Sequence, residues 1–238
     1  MADETSPPVQ YRLDGAVAVV TLDDGKANAI GHPTLEALHG ALDRAEDEAT
    51  ALVLVGGART FSAGFDLKVM TESPQAMQGL VLAGARFWMR LYGTSLPTVA
   101  ACTGHALAGG AVTLLSCDER IGPADVPAKV GLNEVAIGLT LPVFAVELAR
   151  DRLAPPHLAR AVLGQVYDPA GAAEAGFLDR LVPSADVVTE ALAVAQERSG
   201  LRRGAVAHTK AALRRATIDQ VLAGLEDDIA LLSGPDGA

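Results

Sequence analysis

Apolar positions along this chain follow two regimes. Some recur every three or four residues, and others form unbroken runs. Ala51–Val55 is wholly apolar and Thr98–Cys102 nearly so, as expected of strands covered on both faces. Val9–Leu13 and Ala16–Leu22 read as two further strands joined by a turn at Asp14-Gly15. Asp23–Gly31 reads as a loop. After it Leu35, Leu38, Leu42 and Ala45 recur at helical spacing, behind Pro33 as a good first helical residue. Gly56-Gly57 ends the Ala51 run, and a polar loop is expected through Gly64 to Asp66. Ser73-Pro74 opens a long helical pattern reaching about Gly93. Arg120–Gly122 reads as a short strand, Pro142 and Pro155 start helices, Asp168-Pro169 caps another, and Leu178–Val182 looks extended. From Ser184 the pattern is mostly helical, with a frayed end at Pro235–Ala238. Strands alternating with helices predict an α/β fold with parallel strands, followed by a helical C-terminal region. The boundaries drawn are 1–183 for the core and 184–238 for the helical part.

Half of the 238 residues are hydrophobic, enough for a sizeable core, and only 4% are aromatic, so Ala, Val and Leu must fill most of it. The net charge of −10 disfavours nucleic acid or an anionic membrane as partner. The pairs Arg202-Arg203 and Arg214-Arg215 read as solvated helix faces. No apolar stretch approaches the ~18 residues of a membrane span, and MADETSPPVQ carries no signal-peptide pattern. Cys102 and Cys117 sit in apolar surroundings without a CxxC spacing and read as reduced, buried thiols of a cytoplasmic protein.

Several chemistries drop out. Neither GxGxxG nor a P-loop occurs. Ser62, in Thr60-Phe61-Ser62-Ala63-Gly64, lacks the first glycine of a nucleophile elbow. His32, His39, His105, His157 and His208 show no metal-ligand spacing, so no metal is expected.

Two glycine-containing elements follow the buried runs: Phe61-Ser62-Ala63-Gly64-Phe65-Asp66-Leu67 and Gly104-His105-Ala106-Leu107-Ala108-Gly109-Gly110. Strand ends of an α/β sheet are where ligands bind. Glycine admits a ligand close to the backbone, and a helix start offers unpaired N–H groups. Two such N–H groups converging would form an oxyanion hole, in which one donor contributes about 3 kcal/mol or more to a transition state.

The segments FSAGFDLKVM, GHALAGGAVTLLSCD and GLNEVAIGLTLP, in that order, resemble the crotonase superfamily, the enoyl-CoA hydratase/isomerase family, over Tyr11 to Pro183. The resemblance implies a spiral of ββα units with a helical trimerisation region, assembled as trimers or dimers of trimers. It implies acyl-CoA thioesters as substrates, with coenzyme A entering as part of the substrate and no bound cofactor. Carried over residue by residue, the backbone N–H groups of Phe65 and Gly109 are the oxyanion donors. Ala63, Asp66, Leu67, Lys68 and Gly110 line the substrate site. Lys26, Ala27 and Ala29 belong to the loop on the adenine and pyrophosphate side, where Lys26 and Lys68 would offset phosphate charge. Along the Pro74–Gly93 helix, Met77, Leu80, Phe87 and Trp88 are candidates for the acyl wall.

The sequence also departs from the family. Hydratases usually carry one glutamate just after the glycine turn and a second in a later GxxE segment. Here the first position is Val112 and the second is Glu134. Hydration must hold and activate water as well as protonate carbon. Moving a double bond from the 3- to the 2-position of an enoyl thioester needs one base that shuttles one proton. The apolar neighbours Val135, Ala136, Ile137, Leu139 and Leu141 suit a carboxylate with a raised pKa. Glu134 is therefore the expected acid/base of an isomerase. A hydratase and a non-catalytic acyl-CoA binder are the alternatives.

Overall fold

The unbroken apolar runs become the middle of a six-stranded sheet. In the computed structural model, residues 8–232 are described, so the expected fraying of Pro235–Ala238 lies outside the described residues. The strands are β1 (Val9–Asp14), β2 (Val17–Leu22), β3 (Ala51–Val55), β4 (Thr60–Ser62), β5 (Thr98–Ala101), β6 (His105–Leu107), β7 (Glu119–Pro123), β8 (Val130–Gly131) and β9 (Arg180–Val182). The large sheet has the order β1-β2-β3-β5-β7-β9, and the small one β4-β6-β8. Only β1 and β2 pair antiparallel; the other pairs are parallel. Successive strands alternate between the sheets, β3 then β4, β5 then β6, β7 then β8. Each unit advances one strand in both sheets, which makes the chain a spiral.

The expected polar loop before Asp66 is therefore corrected: it contains β4, and the glycine-rich stretch after it contains β6. These strands span two or three residues, too few for any period to show. Leu178–Val182 is likewise a strand only over its last three residues.

Helices are α1 (His32–Glu48), α2 (Leu67–Met70), α3 (Pro74–Gly93), α4 (Gly109–Ser116), α5 (Val143–Arg152), α6 (Pro155–Val162), α7 (Pro169–Ala175), α8 (Val187–Ser199) and α9 (Arg203–Ala230). Their starts follow the sequence signals. Ser73 accepts from the Ala76 N–H ahead of Pro74, and Asp168 accepts from the Gly171 N–H ahead of Pro169. One face of the large sheet (Ala18, Val20, Leu52, Leu54, Ala100) packs under α1, α3 and α4. The other face (Val17, Val19, Val53, Val99, Ile121) is covered by Val187, Ala191, Val194 and Ala195 of α8. This two-sided cover is why β3 reads as unbroken rather than alternating. None of these helices is long and apolar enough to cross a membrane.

Helix α9 lies along α3 and α5, and it corrects the reading of Arg214. Arg214 is 3% exposed. One of its nitrogens lies 2.6 Å from Asp118, another donates to the Tyr92 carbonyl at 2.7 Å, and its guanidinium lies over the Tyr92 ring. Lys210, one turn earlier on the same face, donates to Asp118 and to the Leu96 carbonyl, both at 2.7 Å. Arg202, Arg203 and Arg215 remain exposed. Asp118 also accepts from the Thr98 N–H, so one carboxylate joins β5 to α9. Burial works against its charge, yet Lys210 and Arg214 outweigh it and hold the carboxyl below its usual range. Cys102 and Cys117 are unpaired and fully buried, and burial pushes both thiols up to about 12.

Candidate active site

The small sheet sets two loops against each other. The first leaves β4 through Ala63-Gly64-Phe65. The second leaves β6 through Ala108-Gly109. Gly64 has φ +97°, and a methyl group there would lie 2.8 Å from the Ala108 Cβ and 3.1 Å from the Gly109 nitrogen. Gly110 has no room either: a Cβ would meet the Ser62 carbonyl oxygen at 2.1 Å. The opening turn of α4 thus rests on β4, and only glycine permits the approach. Gly64→Ala should lower turnover about tenfold to a hundredfold by prising the loops apart, measured as kcat on purified, folded protein.

Between the loops the backbone is partly spoken for. Ile30 donates to the Gly64 carbonyl and Asp66 donates to the Ile30 carbonyl, an alternation that leaves the Phe65 N–H facing away from that bridge. The Ala108 carbonyl accepts from Val112. Gly109 begins α4, so its N–H has no carbonyl one turn earlier to meet. Neither the Phe65 nor the Gly109 amide donates to another group among the described residues. A carbonyl oxygen set against both would accept two hydrogen bonds where negative charge develops.

Phe65 and Gly109 line one cavity of about 520 Å³. Its mouth carries Ala27, Ala29, Ala63, Asp66, Leu67 and Lys68. The rest of the lining includes the buried Met77, Val81, Trp88, Val112, Phe144, Ala145 and Leu232, together with Met70, Ile137, Leu139 and Pro142. Of the candidate acyl-wall residues on α3, Met77 and Trp88 face the cavity, whereas Leu80 and Phe87 belong to the core. Lys26 and Gly110 are absent from the lining. Gly110 packs under it, and Lys26 sits in a turn whose backbone N–H caps onto Asp24.

The mouth loop is held by a residue the sequence reading did not single out. Asn28 is buried with φ +52°. Its amide donates to the carbonyls of Leu22, Thr60 and Phe61, its side-chain oxygen accepts from the Asp24 N–H, and its own carbonyl accepts from the Ser62 hydroxyl. These bonds pin the 23–30 loop to β4 and set Ala27 and Ala29 at the opening. An asparagine between two alanines gives no sign of such a role. His105 is structural: its ring accepts from the Lys129 N–H.

Glu134 stands at the start of the Val135–Ile137 3-10 turn. Its carbonyl accepts from Ile137 and Leu139, which fixes the backbone. Its Oε2 is removed from solvent and has no hydrogen-bond partner, and so is the Oδ1 of Asn133 beside it. Burial among apolar groups pushes the Glu134 carboxyl up to about 7. Val112, 1% exposed, is in the same wall. The one other carboxylate of the lining, Asp66, accepts from the Lys68 N–H as the cap of α2, at the mouth. The cavity therefore joins two free backbone donors to a single proton-poised acid in an apolar chamber. That is equipment for removing and returning a proton beside a carbonyl whose oxygen gains charge.

The chain as a whole is similar to known proteins. The family model "Enoyl-CoA hydratase/isomerase" matches residues 12–235. The human mitochondrial enoyl-CoA delta isomerase 1 is 30% identical over 226 residues, 93% of this chain and 75% of that protein. A probable enoyl-CoA hydratase of Mycobacterium bovis is 29% identical over 225 residues, 93% of this chain and 86% of that one. The crystal structure of an enoyl-CoA hydratase/isomerase family protein from Pseudomonas syringae superposes with a TM-score of 0.91 at 41% identity, covering 94% of this chain and 97% of that one.

Proposed function

The chain belongs to the enoyl-CoA hydratase/isomerase family, which acts on acyl-CoA, and from that premise we propose that it moves the double bond of a 3-enoyl-CoA to the 2-position. Glu134 takes a proton from C2. The electron pair flows into the thioester carbonyl, and the dienolate oxygen is held by the N–H groups of Phe65 and Gly109. The Glu134 carboxylic acid then returns its proton at C4, which leaves the double bond between C2 and C3. Ala27, Ala29, Ala63, Asp66, Leu67 and Lys68 border the thioester's coenzyme A arm. Lys26 at the loop tip and Lys68 at the mouth supply charge toward its phosphates, and Gly110 supports the donor at Gly109.

The observation that carries this reading is Val112. With an apolar side chain in the wall, the reaction end of the cavity holds one carboxylate, and isomerisation is the family chemistry that one carboxylate can complete. Likeness to an isomerase and to a hydratase alike makes a direct assay the arbiter. Purified protein given 3-enoyl-CoA and 2-enoyl-CoA side by side is expected to isomerise the first much faster than it hydrates the second. Faster hydration of crotonyl-CoA would instead favour the hydratase reading.

Val112→Glu adds a test in the other direction. A second carboxylate beside the first should raise hydration of crotonyl-CoA at least about tenfold, since general acid–base groups contribute about 10²- to 10⁴-fold. It should also push Glu134 further toward its protonated form, slowing isomerisation at neutral pH. An unchanged ratio of the two activities would count against the assignment of that wall position.

A further inference from the structure

Trp88 touches both sides of the donor pair. It is wholly buried. Its indole Nε1 donates to the Thr113 hydroxyl at 2.9 Å, and that hydroxyl donates to the Gly109 carbonyl at 2.8 Å. Its benzo edge abuts Gly109 directly, since a Cβ there would lie 3.0 Å from both Cη2 and Cζ2. On the other side its ring lies 5.2 Å, centroid to centroid, from that of Phe65. Gly84 of α3 leaves the space in which those two rings meet, because a Cβ at Gly84 would lie 2.6 Å from the Phe65 ring and 3.0 Å from the Trp88 ring. Phe144 stacks on the indole at 5.4 Å, so the ring is braced by Phe65, Gly109 and Phe144 and is open only where it borders the cavity.

The backbone it abuts is strained. Ala108, just before Gly109, has φ +48° and ψ −122°, a conformation that a residue with a Cβ keeps only when its surroundings enforce it. The Val112 N–H holds the Ala108 carbonyl, and the Thr113 hydroxyl, oriented by the indole, holds the next one. Together they fix both peptide planes that flank Gly109.

We propose that Trp88, acting through Thr113, is a positioning residue that holds the Phe65 and Gly109 amides in mutual register. The proposal rests on the reading of those amides as thioester donors. A tryptophan that merely filled the core would need neither the relay to Gly109 nor simultaneous contact with both loops.

Thr113 provides the test, because it is buried and absent from the cavity lining. Thr113→Val keeps the shape and removes the relay. It should lower kcat about tenfold to a hundredfold, below the ~10²- to 10³-fold loss of a whole donor. KM for 3-enoyl-CoA should stay within about threefold and the acidic limb of the pH profile should stay in place, because neither substrate contacts nor Glu134 change. Acetoacetyl-CoA bound to this variant should show a weaker enolate absorption band than with the unmodified protein. Thr113→Ser should restore kcat and band; should the valine variant fail to fold, Trp88→Phe takes its place, read by its lowered kcat and weakened band and not by KM, because the ring also lines the cavity. A folded Thr113→Val with kcat within about twofold of the unmodified protein and an undiminished band overturns the positioning role and leaves the proposed function intact. An unmodified protein with neither turnover nor band overturns the proposed function, and this proposal with it.

Discussion

Glu134→Gln should lower isomerisation about 10²- to 10⁴-fold, the range assigned to a general acid–base group, with KM little changed. Glutamine keeps the size and hydrogen-bonding reach of the side chain but cannot accept or return a proton. Turnover in the unmodified protein should also carry a pH signature. The free enzyme must hold Glu134 ionised to attack C2, so kcat/KM should rise with pH through about 7 and then level. The same carboxyl burdens the fold. Its folded pKa is raised from 4.5 to about 7, so folding favours the protonated form. The stability this proton supplies is complete below pH 4.5 and is lost as pH rises through about 7. Above pH 7 the buried charge costs on the order of 3 kcal/mol. Glu134→Gln should therefore be more stable than the unmodified protein at pH 8 and equal to it near pH 4, read as denaturation midpoints at both pH values. Full turnover in this variant would remove Glu134 from the mechanism.

Asp118→Asn should destabilise the fold by about 3–5 kcal/mol, the usual result of stripping buried charges of their partner. Lys210 and Arg214 both end on this carboxylate, at 2.7 and 2.6 Å. Asparagine would leave two cations facing an amide with no charge to offset their desolvation. Urea denaturation followed by circular dichroism should show the loss. In the unmodified protein the stability contributed by Asp118 is present above pH 3.8 and is lost as pH falls through its depressed folded value. None of the three side chains lines the cavity, so surviving folded Asp118→Asn should retain its kcat. Replacing all three residues with apolar ones of similar size should recover most of the stability. A variant as weak as Asp118→Asn would show that the ions contribute more than their own neutralisation.

Elements that bury a regular face were legible in the sequence. Helix α3 begins at the serine-proline signal and ends at Gly93 as its pattern predicts, and β3 and β5 stand out because both of their faces are covered. The small sheet was hidden, since three paired residues carry no period, and yet it is what brings Gly64 to Gly109. Glu134, Phe65 and Gly109 were legible through resemblance, and the structure brings all three to one cavity. Arg214 was misread because a charge pair in sequence does not reveal which helix face turns inward. Asn28 was passed over because three of its five bonds, to the Thr60 and Phe61 carbonyls and from the Ser62 hydroxyl, form only once β4 has docked.

The chain has one tryptophan, and it is the buried residue packed between the two glycine loops. Its fluorescence is therefore an unlabelled optical gauge of the reaction chamber. With its N–H given to a hydroxyl rather than to water, it should emit toward the blue in the folded protein. An acyl group entering beside it should change that emission before any bond is made or broken, so substrate arrival and chemistry can be timed separately in one stopped-flow trace.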